Sequence, residues 1–279
     1  MQLRVCVVSI AAEAEGRSVT TAFLFAHQDD EFGVFHELTA TLARGERAVC
    51  IYLTNGAWKQ VRPETRNAES AEVLSRLGVA ASDVHFLGTE IGIADGTLAG
   101  NFTKCFEALT RRVAESGGAD RVVTHAYEGG HNDHDAGHVL GVMLAQHLNV
   151  LDASWQFPLY RAPGGRLIAT WAAPLDANGP VMRSQIPWAR RLTYLGYLRF
   201  YASQPTTIIK IGPLMAWDYF SDGHQKLQPL SLARIGERPR PGELLYETWK
   251  LYSYEKFRRD VDAFIASVDR SAGLKSSAH

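Results

Sequence analysis

The stretch that decides the fold of this chain reads Phe23-Leu24-Phe25-Ala26-His27-Gln28-Asp29-Asp30-Glu31. An apolar run, typical of a strand buried on both faces, stops here on a histidine followed by three acids. Apolar residues at helical spacing begin directly afterwards, so the polar group is predicted where a buried strand ends. Such a strand end is a rigid base for imidazole and carboxylate groups, which bind divalent metals and activate water.

The first half of the chain alternates between strand-like and helix-like patterns. Strands are predicted at residues 21–26, 48–53, 84–87 and 121–125, and helices at 31–44, 63–77 and 102–114. This rhythm predicts an α/β fold with a doubly wound, mostly parallel, Rossmann-like sheet. Ligands of such sheets lie outside the carboxyl ends of the strands, which is where His27 and His125 fall.

A second polar cluster follows the strand predicted at 121–125. It reads Tyr127-Glu128-Gly129-Gly130-His131-Asn132-Asp133-His134-Asp135-Ala136-Gly137-His138. If a helix starts near Asp133, His134 and His138 share one helix face, whereas His131 stays in the preceding loop. Each cluster alone has an ordinary explanation, since acids favour the first turn of a helix and single histidines are usually structural. Together they supply two histidines and a carboxylate for a metal, with acid and base groups to spare.

Length and composition indicate one main domain. The 279 residues are 46% hydrophobic, which is enough for one sizeable core. We predict a Rossmann-like catalytic core at 1–150, an extension of mixed strands and helices at 151–270, and a disordered tail at 271–279. We expect the extension to pack on the core and to shape substrate specificity. It lacks a transferable motif, but Trp155 and Tyr160 are aromatic residues suited to a sugar pocket, or simply to the core.

Charge, cysteine content and hydropathy indicate which partners and which location to expect. The 29 basic and 30 acidic residues nearly balance, so nucleic acid is not expected as a partner. The three cysteines are far apart and show no CxxC spacing, which suits a reducing, cytoplasmic location. No apolar run approaches the roughly 20 residues of a membrane span, so stable membrane insertion is not expected. The first 20 residues fit either a weak targeting segment or an edge strand at Cys6–Ile10.

The two clusters resemble the paired signatures of a known family. Ala26-His27-Gln28-Asp29-Asp30-Glu31 resembles the Ala/Pro-His-Pro-Asp-Asp-Glu signature of the PIG-L (LmbE-like) zinc-dependent de-N-acetylases, and His131-Asn132-Asp133-His134 resembles their His-Pro-Asp-His block. The resemblance covers about residues 20–145. It differs from the family pattern where Gln28 and Asn132 replace prolines. Because proline only stiffens the backbone and removes a donor, we expect the metal ligands to be retained.

The resemblance implies a site, residue by residue. It makes His27, Asp30 and His134 the zinc ligands and Asp29 the general base. It makes His131 the group that polarises the carbonyl or protonates the leaving amine, with Asp133 as its orienter. Fe²⁺, Co²⁺ or Mn²⁺ would also suit such nitrogen and oxygen ligands.

More weakly supported candidates surround this set. Arg66 resembles a family residue that reaches substrate hydroxyls, and an ordinary surface arginine is the equal alternative. Tyr127 and Glu128 are placed by sequence where they could line a sugar pocket. His138 is either a fourth ligand or, more in keeping with its helix-face spacing, a residue behind the ligands or at the surface.

The implied activity is removal of an N-acetyl or other N-acyl group from an N-acylated amino sugar, such as an N-acetylglucosaminyl compound, or from its conjugate. Amide hydrolysis needs an activated water, a Lewis acid and a proton donor, and these residue types supply all three. An amidase acting on a non-sugar amine and a silent metal-binding or carbohydrate-binding domain are the alternatives. Mg²⁺-dependent phosphoryl transfer is disfavoured, because no GxxxxGK[ST] loop is present.

Overall fold

The computed structural model describes residues 17–57, 61–161 and 170–276. Its strands are β1 (Thr20–Phe25), β2 (Arg47–Tyr52), β3 (Val84–His85), β4 (Arg121–His125), β5 (Trp155–Phe157), β6 (Tyr160–Arg161), β7 (Thr170–Trp171), β8 (Met182–Gln185) and β9 (His224–Pro229). Its α-helices are α1 (Phe35–Ala43), α2 (Pro63–Leu77), α3 (Leu87–Ile91), α4 (Phe102–Glu115), α5 (Asn132–His147), α6 (Trp188–Tyr197), α7 (Pro205–Ser221), α8 (Leu245–Thr248) and α9 (Tyr254–Ser276).

Seven of these strands form one sheet in the order β3-β2-β1-β4-β5-β9-β8. The neighbours from β3 to β5 are parallel, whereas β9 runs antiparallel to β5 and β8 antiparallel to β9. The predicted fold class, a doubly wound and mostly parallel sheet with mixed strands and helices after it, is therefore confirmed.

The central strand explains why the two polar clusters meet. Ala22 and Leu24 on β1 pack into the core beneath α4, α5 and α9, whereas Phe23 and Phe25 pack into the core on the opposite face of the sheet. Burial of both faces favours apolar residues at successive positions, as from Ala22 to Phe25, which is typical of a parallel strand covered by helices on both sides. Because β4 pairs directly with β1, the residues that follow each strand emerge side by side at one sheet edge.

The second half of the described chain continues the same sheet. Strands β5, β9 and β8 extend it beyond β4, and β6 pairs with β7 in a separate two-stranded ribbon. The predicted division at residue 150 therefore falls just before strands that join the sheet, and it stays a prediction. The tail predicted at 271–279 overlaps the last turns of α9, and residues 277–279 lie outside the described part of the chain.

Two further predictions concern the ends and surface of the molecule. The targeting segment or edge strand predicted within the first 20 residues falls mostly on residues 1–16, which are outside the described residues. None of the helices in the described ranges combines the length and apolar character that a membrane crossing requires.

Candidate active site

Both sequence clusters border one cavity at the carboxyl edge of the sheet. His27, Asp29 and Asp30 lie just after β1, where residues 30–33 form a short 3₁₀ turn before α1. His131 caps the start of α5 and His134 occupies its first turn. All five residues line a cavity of about 480 Å³. The structure thus brings together two motifs that are about 100 residues apart in sequence.

The Asp30 carboxylate contacts three histidines of the cluster. Its Oδ2 accepts the backbone N–H of His27 at 2.6 Å and lies 3.5 Å from His27 Nδ1, while its Oδ1 lies 3.2 Å from His134 Nε2. His125, at the end of β4, places its Nε2 3.2 Å from Asp30 Oδ2, and its ring stacks on that of His134 at 4.2 Å. Burial opposes ionisation of Asp30, but the imidazoles of His134 and His125 outweigh it and hold the pKa well below its usual range.

Three sets of potential metal ligands overlap in this cluster. Within each set the ligand atoms lie within 4.8 Å of one another: His27 with His131 and His134, Asp30 with His125 and His134, and His27 with Asp95 and Asp133. The predicted trio of His27, Asp30 and His134 is not one of these sets. In this trio Asp30 contacts each histidine with a different oxygen, His27 through Oδ2 and His134 through Oδ1.

The charge balance of the cavity fits a divalent cation. Asp29, Asp30 and Asp95 line it, and Arg66 is the one lysine or arginine among the described lining residues. Carboxylates removed from water need compensating positive charge, because an uncompensated buried charge is costly. The mixture of imidazole nitrogens and carboxylate oxygens suits Zn²⁺ and neighbouring transition metals. The residues present therefore fit the predicted metal.

Asp29 is held in place by its backbone and by Arg66. Its φ of +108° lies in a region that residues other than glycine rarely adopt, and its N–H donates to Glu31 Oε2 at 3.0 Å. Its Oδ2 lies 3.1 Å from Arg66 Nη2. Burial raises the pKa of the Asp29 carboxyl to about 8, against the opposing effect of the Arg66 guanidinium. A cation bound in the cavity would lower this pKa toward neutrality and so favour the carboxylate form that a general base needs.

Arg66 is buried among main-chain and acidic groups. Its Nη1 donates to the carbonyl oxygen of Gly56 at 2.5 Å, and its Nη2 donates to that of Gln28. The predicted substrate-binding arginine thus lines the cavity, but its guanidinium is already engaged by the loop that carries Asp29.

His131 has a defined proton arrangement. The backbone N–H of Asp133 donates to His131 Nδ1 at 3.2 Å, so a neutral His131 ring carries its proton on Nε2. Burial, together with the neighbouring His27, lowers the pKa of His131 to about 4. At neutral pH the ring is therefore an uncharged N–H donor beside the cavity.

The Asp133 carboxylate lies against His27 rather than against His131, which it was predicted to orient. Its Oδ2 lies 3.2 Å from His27 Nε2 and accepts the Gly96 N–H at 2.6 Å, and its Oδ1 accepts the Leu98 N–H at 3.1 Å. The orientation of His131 comes instead from the Asp133 backbone. The Asp133 side chain secures the loop at residues 96–98 and restrains His27.

Asp95 was not predicted as a site residue. Its Oδ1 lies 3.2 Å from His27 Nε2 and its Oδ2 3.8 Å from Arg66 Nη1. Its side chain lines the cavity beside His131. The only sequence signal was an Asp-Gly pair, Asp95-Gly96, which is the ordinary signature of a turn.

The structure does not bring Tyr127 and Glu128 to the described cavity wall. Tyr127 is fully buried and stacks on His138, with its hydroxyl donating to the Glu237 carbonyl oxygen. Glu128 Oε1 accepts the backbone N–H groups of Leu159 and Tyr160 at 2.9 and 3.0 Å. Both residues therefore support the site from behind, because the loop that follows β4 turns their side chains into the protein.

Of the other candidate residues, Tyr160 lines the cavity and Trp155 and His138 do not. Tyr160 lines the cavity, with its ring 5.3 Å from that of His134, whereas Trp155 packs at the edge of the core. His138 is fully buried, and its Nδ1 is 2.9 Å from the carbonyl oxygen of His125. His138 thus lies behind the cluster, away from both the ligand sets and the surface.

The two residues that replace prolines make side-chain hydrogen bonds instead. Gln28 Nε2 donates to Asn67 Oδ1 at 2.6 Å, which connects the first motif to α2. Asn132 Nδ2 donates to the Gly96 carbonyl oxygen at 3.0 Å, which connects the second motif to the loop that bears Asp95. Side-chain hydrogen bonds therefore fix both motif loops where the family pattern has a rigid ring.

Comparison with known proteins agrees with the motifs. Residues 22–145 match the family described as PIG-L: GlcNAc-PI de-N-acetylase, which confirms the resemblance found in the sequence. No curated protein sequence matches the chain significantly.

Three solved structures share the fold. A triple mutant of a deacetylase involved in the teicoplanin biosynthetic pathway is 17% identical, with a TM-score of 0.57 over 76% of this chain and 97% of its own. The conserved protein TT1542 from Thermus thermophilus is 21% identical, with a TM-score of 0.54 over 76% and 94%. The N,N'-diacetylchitobiose deacetylase from Pyrococcus horikoshii is 14% identical, with a TM-score of 0.52 over 81% and 91%.

Proposed function

We propose, from the premise that residues 22–145 match the PIG-L family, that this protein is a metal-dependent hydrolase that removes an N-acetyl group from an amino-sugar-containing molecule. The observation that carries the proposal is that both motifs border a single cavity. The deacetylases among the similar structures, one of them named for N,N'-diacetylchitobiose, support this reaction class.

In this proposal His27, Asp30 and His134 hold the metal, preferably Zn²⁺. Asp30 contacts both histidines, and all three side chains line the cavity. His125 is a weaker choice, because its Nε2 already accepts the Ala26 N–H at 3.0 Å and it is not among the described lining residues. When bound, such a metal supplies Lewis-acid chemistry, which lowers the pKa of water to about 7 and polarises a carbonyl group.

The side chains then divide the proton transfers. Asp29 accepts the proton of the attacking water, and its position beside Arg66 keeps the carboxylate directed at the cavity. The Nε2–H of His131 donates a hydrogen bond to the carbonyl oxygen as negative charge develops there. Asp29 then returns this proton to the amide nitrogen as the C–N bond breaks, which yields acetate and the free amino sugar.

Substrate contact falls to the groups that line the rest of the cavity. The carboxylate of Asp95 and the amide of Gln204 are polar groups on the cavity wall that suit sugar hydroxyls. Asp133 acts as a positioning residue through its contacts with His27 and the loop at residues 96–98.

The test is acetate and amine release by the metal-loaded protein from N-acetylglucosamine, its methyl glycoside and an N-acetylated alkylamine. We expect release from the sugars, loss of release after chelation, and recovery with Zn²⁺ or another divalent metal. Release from the alkylamine alone would indicate an amidase of non-sugar amines. A protein with a full complement of metal that releases acetate from none of a broad panel of free and conjugated N-acetyl sugars would overturn the proposal.

A further inference from the structure

The two walls of the cavity differ in chemistry. The more deeply buried lining, here called the inner wall, carries the histidines, aspartates and Arg66 described above. The more exposed lining, here called the outer wall, carries the apolar Ile211, Trp249 and Leu251 together with the polar side chains of Thr97, Gln204 and Thr207. Trp249 and Leu251 are among the large apolar residues that remain exposed, with 45% and 40% of their surface accessible. Exposed apolar groups beside a polar site mark a place where a ligand is expected to cover them.

Aromatic rings connect this outer wall to the catalytic cluster. The Tyr160 ring lies 5.3 Å from that of His134 on one side and 6.5 Å from that of Trp249 on the other. The Glu128 carboxylate holds the Tyr160 backbone in place. A ligand with its amide at the cluster would therefore reach Trp249 by passing over the Tyr160 ring.

The turn that carries Trp249 and Leu251 is unusually constrained. Lys250, between them, has a φ of +56°, which is a conformation that favours glycine. The Lys250 N–H donates to the Glu247 carbonyl oxygen at 2.9 Å, and the Leu251 N–H donates to that of Tyr246 at 3.0 Å, which closes the end of α8. Uncommon backbone conformations persist where the surrounding structure enforces them and are frequent at ligand-binding positions.

We infer that the amino-sugar substrate carries an apolar aglycone, which lies on Trp249, Leu251 and Ile211. This inference rests on the proposed function and names the substrate class more narrowly. Because the histidines and carboxylates of the cavity lie on the inner wall, the amide is directed there and the group attached at the far side of the sugar faces the outer wall. A free monosaccharide would leave that apolar surface in water.

The experiment compares kcat/KM for the methyl and octyl glycosides of N-acetylglucosamine, with the octyl compound below its micelle concentration. We expect wild-type, zinc-loaded protein to favour the octyl glycoside by about tenfold or more, because burial of only two methylene groups gives that preference. In Trp249→Ala and Leu251→Ala the octyl-to-methyl ratio should fall severalfold. Trp217→Ala is the matched control, since Trp217 is 74% exposed and lies outside the cavity lining, and it should keep the wild-type ratio.

Two further arms make the result decisive. A wild-type ratio near one, or an unchanged ratio in Trp249→Ala, overturns the inference even if the methyl glycoside is deacetylated. A preference for N-octanoylglucosamine over the octyl glycoside overturns it too, because the apolar group would then belong to the acyl side. Calorimetric binding of both glycosides to zinc-loaded Asp29→Asn, with and without Trp249→Ala, provides a readout without turnover. If no acetate is ever released but octyl binding still depends on Trp249, the proposed function fails and the apolar subsite stands.

Discussion

The two halves of the described chain contribute different chemistry to one cavity. Residues 20–147 form parallel strands and supply the histidines, the aspartates and Arg66. Residues 204–251 belong to the half whose added strands are antiparallel, and they supply apolar groups such as Ile211 and Trp249. The difference indicates that the reaction and the choice of substrate are built on separate parts of the chain, so each can be altered while the other is measured.

The strand ends explain the first contribution. Parallel neighbours β1 and β4 end at the same sheet edge, so short loops suffice to bring His27 and His134 into contact with Asp30. The apolar wall needs no such precision, because hydrophobic contact is not directional.

The largest expected effect comes from removing Asp30, the carboxylate that contacts both His27 and His134. Asp30→Ala should abolish stable metal binding and reduce deacetylation by at least about 10³-fold, since several kcal/mol of Lewis-acid stabilisation are lost. Metal analysis of the purified protein and acetate release measure the two effects. Asp176→Ala, which removes an exposed aspartate in the second half, should change neither. Full metal retention in Asp30→Ala would remove Asp30 from the ligand set.

Sequence patterns were sufficient for most of the parallel half. The predicted bounds of β4 and α2 match the structure, because helix α2 begins at Pro63 and ends before Gly78, two strong boundary signals. The helix predicted at 31–44 begins instead as a 3₁₀ turn. At Gly33 an added Cβ would lie 2.5 Å from the Leu159 side chain. The backbone of this segment therefore packs closely against a residue that is remote in sequence, which local patterns do not reveal.

The second half was harder to predict for physical reasons. Helix α7 is apolar on its exposed as well as its buried side, with Ile209 and Trp217 both 74% exposed, so no amphipathic period marks it. Strand β9 reads His-Gln-Lys-Leu-Gln-Pro and lacks apolar alternation, because its side chains are buried through hydrogen bonds such as Gln228 Nε2 to the Leu175 carbonyl oxygen. Asp95 was missed because its partner His27 is remote in sequence.

A smaller loss of activity is expected from His131→Ala. This variant tests whether a histidine that lines the cavity contributes more to catalysis than one buried behind it. The variant should keep its metal and lose about 10²- to 10³-fold in kcat, because an N–H donor to the developing oxyanion is removed. His138→Ala is the matched comparison, since that histidine also lies near the start of α5 but is fully buried behind the cavity. It should lower the melting temperature while kcat per folded protein stays within a few-fold of wild type. Equal kcat losses in both variants would refute a specific role for His131.

The smallest expected effect concerns the turn between Trp249 and Leu251. Lys250→Gly should stabilise the protein by about 1 kcal/mol or less, which raises the melting temperature by about 2–4 °C, because glycine adopts the positive φ without steric cost. Lys250→Ala keeps a Cβ and should give no such gain. Thermal unfolding monitored by circular dichroism distinguishes the two. A lower melting temperature for the glycine variant would show that the lysine side chain stabilises this turn.

Metal content and acetate release measured together for Asp29→Asn test the central claim most directly. The amide nearly preserves the shape of the carboxyl group but cannot accept a proton from water, and Asp29 is not among the proposed ligands. We predict wild-type metal content with a roughly 10²- to 10⁴-fold lower rate of acetate release from an N-acetyl sugar that the wild type deacetylates. A wild-type rate at full metal content would contradict the assignment of Asp29 as the general base, and with it the proposed mechanism.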